Sequence, residues 1–115
     1  MVWNIDDPEL YNREHFVVRH MYDAPHAAIV WFGFRPGQTL RDHDTSSIAI
    51  VQVLRGKIRL STAIEQILEA GQAVELKAHE RHALEAIDHA LVQLILVPHP
   101  SYHSLADELD LHPTV

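Results

Sequence analysis

Along this chain apolar residues alternate with polar ones at period two, or run unbroken over a few positions, as strands require. Eight segments carry that pattern: residues 15–22, 27–34, 48–54, 57–63, 66–68, 73–76, 82–87 and 91–97. Turn chemistry separates them at Ala24-Pro25, Arg35-Pro36-Gly37, Arg55-Gly56, Ala70-Gly71, Asp88-His89, and the prolines at 98 and 100. Short strands at this spacing, with no helical period between them, predict an all-β antiparallel sandwich or barrel. Arg55-Gly56-Lys57, lying between two apolar alternations, reads as a hairpin turn. Gly37, Gly56 and Gly71 each close a turn where a positive φ or a tight approach is expected. One segment breaks the pattern. Residues 101–111 place Leu105, Leu109 and Tyr102 at helical spacing, behind Ser101 as a cap and ahead of Pro113. They predict a short C-terminal helix over a barrel opening or a sheet edge.

Two-sided burial follows from the same pattern. Residues 48–51 and 91–97 are apolar on both faces, so one face fills the barrel and the other needs a second sheet or a second subunit. A homodimer is therefore expected, with residues 2–11, Trp3 among them, packing across it. Trp31, Phe32 and Phe34 alternate faces and are assigned to core or interface, with a pocket wall as the alternative.

A chain of 115 residues holds one hydrophobic core and reads as a single domain. Its formal net charge of −7, with Lys and Arg scattered, argues against nucleic acid and against an anionic membrane surface as partners. The absence of cysteine removes disulfides, thiolate nucleophiles and thiolate zinc sites. Asp6, Asp7 and Glu9 occupy the start where a secretory signal would be basic and then apolar, and the apolar run at 94–98 is too short for a bilayer. A cytoplasmic location is the expectation.

Candidate chemistry centres on histidine. Of ten histidines, three gain meaning from their position. Gly37 is followed after five residues by His43, then by Thr45, Ala49 and Gly56. Gly71 is followed by Lys77, His79, His82 and Ala86. These intervals match, without insertion, the two-part signature G-x5-H-x-H-x3-E-x6-G and G-x5-P-x-G-x2-H-x3-N. Over about residues 34–98 the chain thus resembles small single-domain cupins of the RmlC-like superfamily. The resemblance implies a double-stranded β-helix, or jelly-roll barrel, spanning 1–115 as one domain, with an N-terminal strand arm over 1–22 and the helical tail over 101–111.

The resemblance also implies a metal held by three histidines and a glutamate on the inner wall. Neutral imidazoles suit a divalent transition metal such as Zn, Ni, Fe or Mn, and a carboxylate offsets its charge in a low-dielectric interior. Carried over by position, His43 and His82 remain, whereas Thr45 replaces a histidine and Ala49 the glutamate. His79, standing where the motif has glycine, is the candidate third ligand, since a turn residue need not obey strand parity. Asp42 and Asp44 point away from His43 in a regular strand, and only a bulge would turn either one inward. Glu85 fails by the same parity from His82. The polar run Lys77, His79, Glu80, Arg81, His82 reads as a solvated loop, or as a rim recognising a small anion or a sugar. Gln52 and Gln93, in otherwise apolar strands, complete a candidate pocket with His43, Thr45, Ala49 and His82.

Three functional readings follow. The first is a binding protein that takes a small molecule in its barrel, with an incomplete or absent metal site. The second is a metal-dependent cupin enzyme of the dioxygenase, isomerase or lyase type, using His43, His82 and His79. The third is a non-enzymatic ligand sensor working through a separate DNA-binding partner.

Overall fold

In the computed structural model, which describes residues 1–99, the period-two segments assemble into two antiparallel sheets. The strands are β1 (Val17–Ala24), β2 (Ala27–Phe34), β3 (Thr39–His43), β4 (Ile48–Arg55), β5 (Lys57–Ser61), β6 (Glu65–Glu69), β7 (Ala73–Leu76), β8 (His82–Ala86) and β9 (Ala90–Val97). One sheet has the order β1-β2-β9-β4-β7 and the other β3-β8-β5-β6. From β2 onwards the chain crosses between the sheets at every connection except β5–β6, which winds it into a double-stranded β-helix. The helix expected over 101–111 lies outside the described residues.

β3 is the one strand that the alternation pattern did not mark. Its sequence Thr-Leu-Arg-Asp-His has a single aliphatic residue, and its burial departs from strict alternation. The turn at Arg55-Gly56-Lys57 also differs from expectation. It is not a hairpin: β4 pairs with β7 and β9, while β5 pairs with β6 and β8. A hairpin of the favoured kind needs two central residues, and here Gly56 stands alone at a corner between sheets. Its φ is +79°, and an added Cβ would lie 2.0 Å from the carbonyl oxygen of His89. Asp88 accepts a hydrogen bond from the Lys57 amide across the same corner. Gly37 and Gly71 also adopt positive φ, as expected.

Between the sheets, inward-facing residues from both sheets fill a common core. Val30, Phe32, Phe34, Val51, Val53 and Val92 face it from the five-stranded sheet, and Leu40, Ile58, Leu60 and Leu84 from the four-stranded one. Phe32 and Phe34 have ring centroids 6.1 Å apart and both contact Phe16. Trp31 points the other way. With Leu10 and Leu91 it forms a second cluster on the outer face of the five-stranded sheet. The N-terminal segment crosses that face through a 3-10 turn at Pro8–Leu10, whose Asp7 cap accepts from the Glu9 amide. Trp3 meets Trp31 of its own chain edge to face at 6.0 Å. The segment expected to pack across a dimer thus covers its own sheet. Among the described residues no helix is long and apolar enough to cross a membrane.

Candidate functional site

His43 and His82 are brought together by a one-residue irregularity. β3 and β8 pair Thr39 with Glu85 and Leu40 with Leu84, but then His43 with His82, so β3 carries one extra residue between Leu40 and His43. In a regular strand, residues three apart face opposite sides. The bulge puts Leu40 and His43 on the same inner face and leaves Arg41 and Asp42 outside. His82 already faces inward, in step with Leu84 and Ala86.

The two rings then lie against each other, centroids 4.2 Å apart and planes at 60°. His43 is 6% exposed and His82 2%. Each ring is oriented by a backbone carbonyl two residues earlier: His43 Nδ1 lies 2.9 Å from the Arg41 oxygen, and His82 Nδ1 lies 3.0 Å from the Glu80 oxygen. A carbonyl only accepts, so each Nδ1 carries a proton, and in its neutral form each ring turns Nε2 onward as an acceptor. The Nε2 of His43 is buried, with no hydrogen-bond partner among the described residues. Burial holds the His43 pKa below the ordinary imidazole value; the hydrogen bond to Arg41 opposes this, and proximity to His82 adds to the depression. The two orienting carbonyls left no trace in the side-chain sequence, and no pattern of residue types would have found them.

Around the pair, two loops close one end of the barrel. The His79 amide donates to the Thr45 carbonyl at 2.7 Å, joining the β7–β8 loop to the β3–β4 loop. His79 itself adopts φ +66°, a left-handed conformation in the position where the motif has glycine. Its side chain is 71% exposed, with Nδ1 3.6 Å from Asp44. Arg81 pairs with Asp42 at 2.9 Å on the outer side, and Glu80 accepts from the Lys77 amide. The ion pairs of the polar loop therefore run to Asp42 and Asp44, at the end of β3 and just beyond it. Thr45 is buried, and its hydroxyl oxygen accepts from the Ser47 amide at 3.3 Å. Ser47 is buried too and donates to the Pro98 carbonyl.

Ala49 lies on the inner face of β4, in register with Leu76 and Leu96. Gln52 and Gln93 were placed in the pocket by sequence, and the structure corrects this. They sit opposite each other on β4 and β9 between the inward residues Val51, Val53, Val92 and Leu94, so parity turns both to the outer face. There Gln93 accepts from the Trp31 indole at 2.9 Å and donates to Gln52 at 3.2 Å.

No family model matches the sequence, and no curated protein matches it significantly. Solved structures do. An RmlC-like cupin protein from Desulfovibrio desulfuricans superposes with a TM-score of 0.78 at 19% identity, over 85% of this chain and 96% of that one. KdgF from Halomonas sp. gives a TM-score of 0.70 at 19% identity, over 85% of this chain and 88% of that one. A cupin 2 conserved barrel domain protein from Leptotrichia buccalis is 26% identical with a TM-score of 0.71, over 76% of this chain but only 43% of that longer one. The chain has the cupin fold.

A cupin barrel with the full signature would present three histidines and a glutamate to a metal. Here the buried, unpartnered Nε2 of His43 has the tautomer that a ligand requires, and its Nδ1–H is anchored as metal-bound imidazoles usually are. The rest of the donor set falls short. Thr45 accepts from the Ser47 amide, Ala49 has no donor atom, and His79 stands at the surface beside Asp44. Among the described residues no three His, Cys, Asp or Glu side chains are grouped to hold one ion. Two neutral imidazoles leave a dication uncompensated in an apolar interior, and a stable site normally takes three or four protein ligands. The described residues of this barrel do not fit a resident divalent metal.

Proposed function

We propose that the chain is a small cupin-fold binding protein that receives a small molecule at the His43–His82 pair, with no resident metal. The observation that carries this reading is the Nε2 of His43, a buried acceptor with no partner among the described residues. Leaving such a group unsatisfied costs about 1–3 kcal/mol, and buried polar groups in native proteins almost always find a partner. A bound molecule that donates a hydrogen bond there recovers that cost. The pair is also held ready: both rings are fixed by backbone carbonyls and packed against each other, so little rotamer freedom is lost on binding.

Elemental analysis of protein purified without added metal tests the metal-free part. Content well below one metal per chain is expected; near-stoichiometric Fe, Ni, Mn or Zn would overturn it. A ligand-observed NMR screen of small polar fragments tests the binding part. Hits lost in His43→Phe are expected, and a screen in which every hit survives that substitution removes the site.

A further inference from the structure

We propose that the His43–His82 pair selects a neutral, hydroxyl-bearing ligand, a small vicinal diol in the best-matched case, and excludes anions. This rests on the binding function proposed above and names the class of ligand.

The hydrogen-bond bookkeeping leads to it. Both Nδ1–H donors are already used, on the carbonyls of Arg41 and Glu80. What the two neutral rings offer a ligand is therefore two acceptors and no donor. The two donors of Ser47 are engaged as well: its hydroxyl on the Pro98 carbonyl, and its amide on the Thr45 hydroxyl. A carboxylate or phosphate only accepts, so it would face lone pairs and lose its hydration without compensation. The charges flanking the pair add to this. Asp42 and Asp44 bracket His43 in the chain, and Arg81, on the β8 side, is held on Asp42 outside the barrel.

A hydroxyl meets the opposite conditions. It donates to Nε2 and carries no charge into an interior where His43 and His82 are at most 6% exposed. The two rings pack against each other with centroids 4.2 Å apart, and adjacent hydroxyls on neighbouring carbons are the donors suited to a close pair of rings. The next cross-strand pair on the same inner face is Leu40 with Leu84. The ligand carbon skeleton therefore meets aliphatic surface beside the polar pair, the combination usual in small-molecule sites.

Imidazole-selective ¹H–¹⁵N NMR at pH 7.5 tests the assignment with defined probes: 1,2-propanediol, 1-propanol, acetate and inorganic phosphate. The diol is expected to shift the Nε2 resonances of His43 and His82 together, with acetate and phosphate leaving them in place. It is expected to bind several-fold, up to about tenfold, more tightly than 1-propanol, the worth of one added net hydrogen bond. Anions that move the resonances while the diol does not would overturn the ligand class and leave the binding reading standing. Probes that all leave both rings unmoved would overturn both. His43→Phe, checked for folding by its strand amide spectrum, should abolish the diol response at His82; a retained response would overturn the paired site. His43→Gln, which brings an amide N–H donor, is expected to gain a response to acetate, and no gain would count against the bookkeeping.

Discussion

At the scale of single residues, His43 joins two properties that seldom coexist: it is nearly inaccessible, and it has an unused acceptor. Its pKa lies below the ordinary 6.5, with burial as the leading cause. Above pH 6.5 neither the folded nor the unfolded chain protonates this ring, and its contribution to stability is complete. As the pH falls below 6.5 the unfolded chain takes up a proton that the folded site refuses, so stability is lost until the pH passes the folded pKa. The slope from one such group is at most about 1.4 kcal/mol per pH unit. Urea melts of the wild type between pH 7.5 and pH 5 should therefore lose more stability than those of His43→Phe, which removes the group. Parallel losses in the two proteins would show that His43 is not the residue responsible.

At the scale of elements, the covering of the five-stranded sheet by the N-terminal segment depends on Gly33. A Cβ there would fall 1.6 Å from the Leu10 carbonyl oxygen and 2.7 Å from its carbon. Those are backbone atoms with no rotamer to yield, so Gly33→Ala must push the segment away. Leu10 is fully buried, and its exposure costs about 2–3 kcal/mol. Gly33→Ala should lower stability by that order in urea melts and open residues 11–14 to limited proteolysis; an unchanged midpoint and digestion pattern would rule this out. Most elements were legible because period-two burial writes itself into residue type: β2 and β7 were bounded correctly, and the other marked strands came within a few residues. β3 was not legible, because only Leu40 on it is apolar and its bulge breaks the parity by which strands are recognised. The corner at Gly56 was misread for a different reason. One glycine between two strands looks alike whether the strands pair or part, and only long-range pairing decides. Gln52 and Gln93 were placed by residue type alone, although counting from Val51 and Val92 would have turned them outward. The histidine pair and its inward direction were implied by the resemblance that the glycine spacing carries, but the bulge that turns His43 inward was not legible.

For the whole molecule, the open question is what covers the remainder of the outer sheet face. The N-terminal segment protects Trp31 and Leu91. Further along the same face Ile48 and Val97 sit opposite each other, 43% and 40% exposed, beside the partly buried pair Ile50 and Ile95. Four neighbouring aliphatic side chains on one face of an antiparallel sheet form the kind of apolar patch through which two copies associate about a two-fold axis. A dimer is expected by size-exclusion chromatography with light scattering at micromolar concentration, reverting to monomer in Ile48→Lys combined with Val97→Lys. A monomeric wild-type protein would remove the idea.

The extra residue in β3 has a consequence for how this barrel can change over generations. With the pairing set by Thr39 and Leu40 continued without interruption, Asp42 rather than His43 would stand opposite His82. Loss of a single codon between Leu40 and His43 would instead remove the extra residue and restore regular pairing, leaving His43 opposite His82 and on the inner face with Leu40. A deletion, which loops tolerate and strands usually reject, would at this one place straighten the strand and keep the inward chemistry.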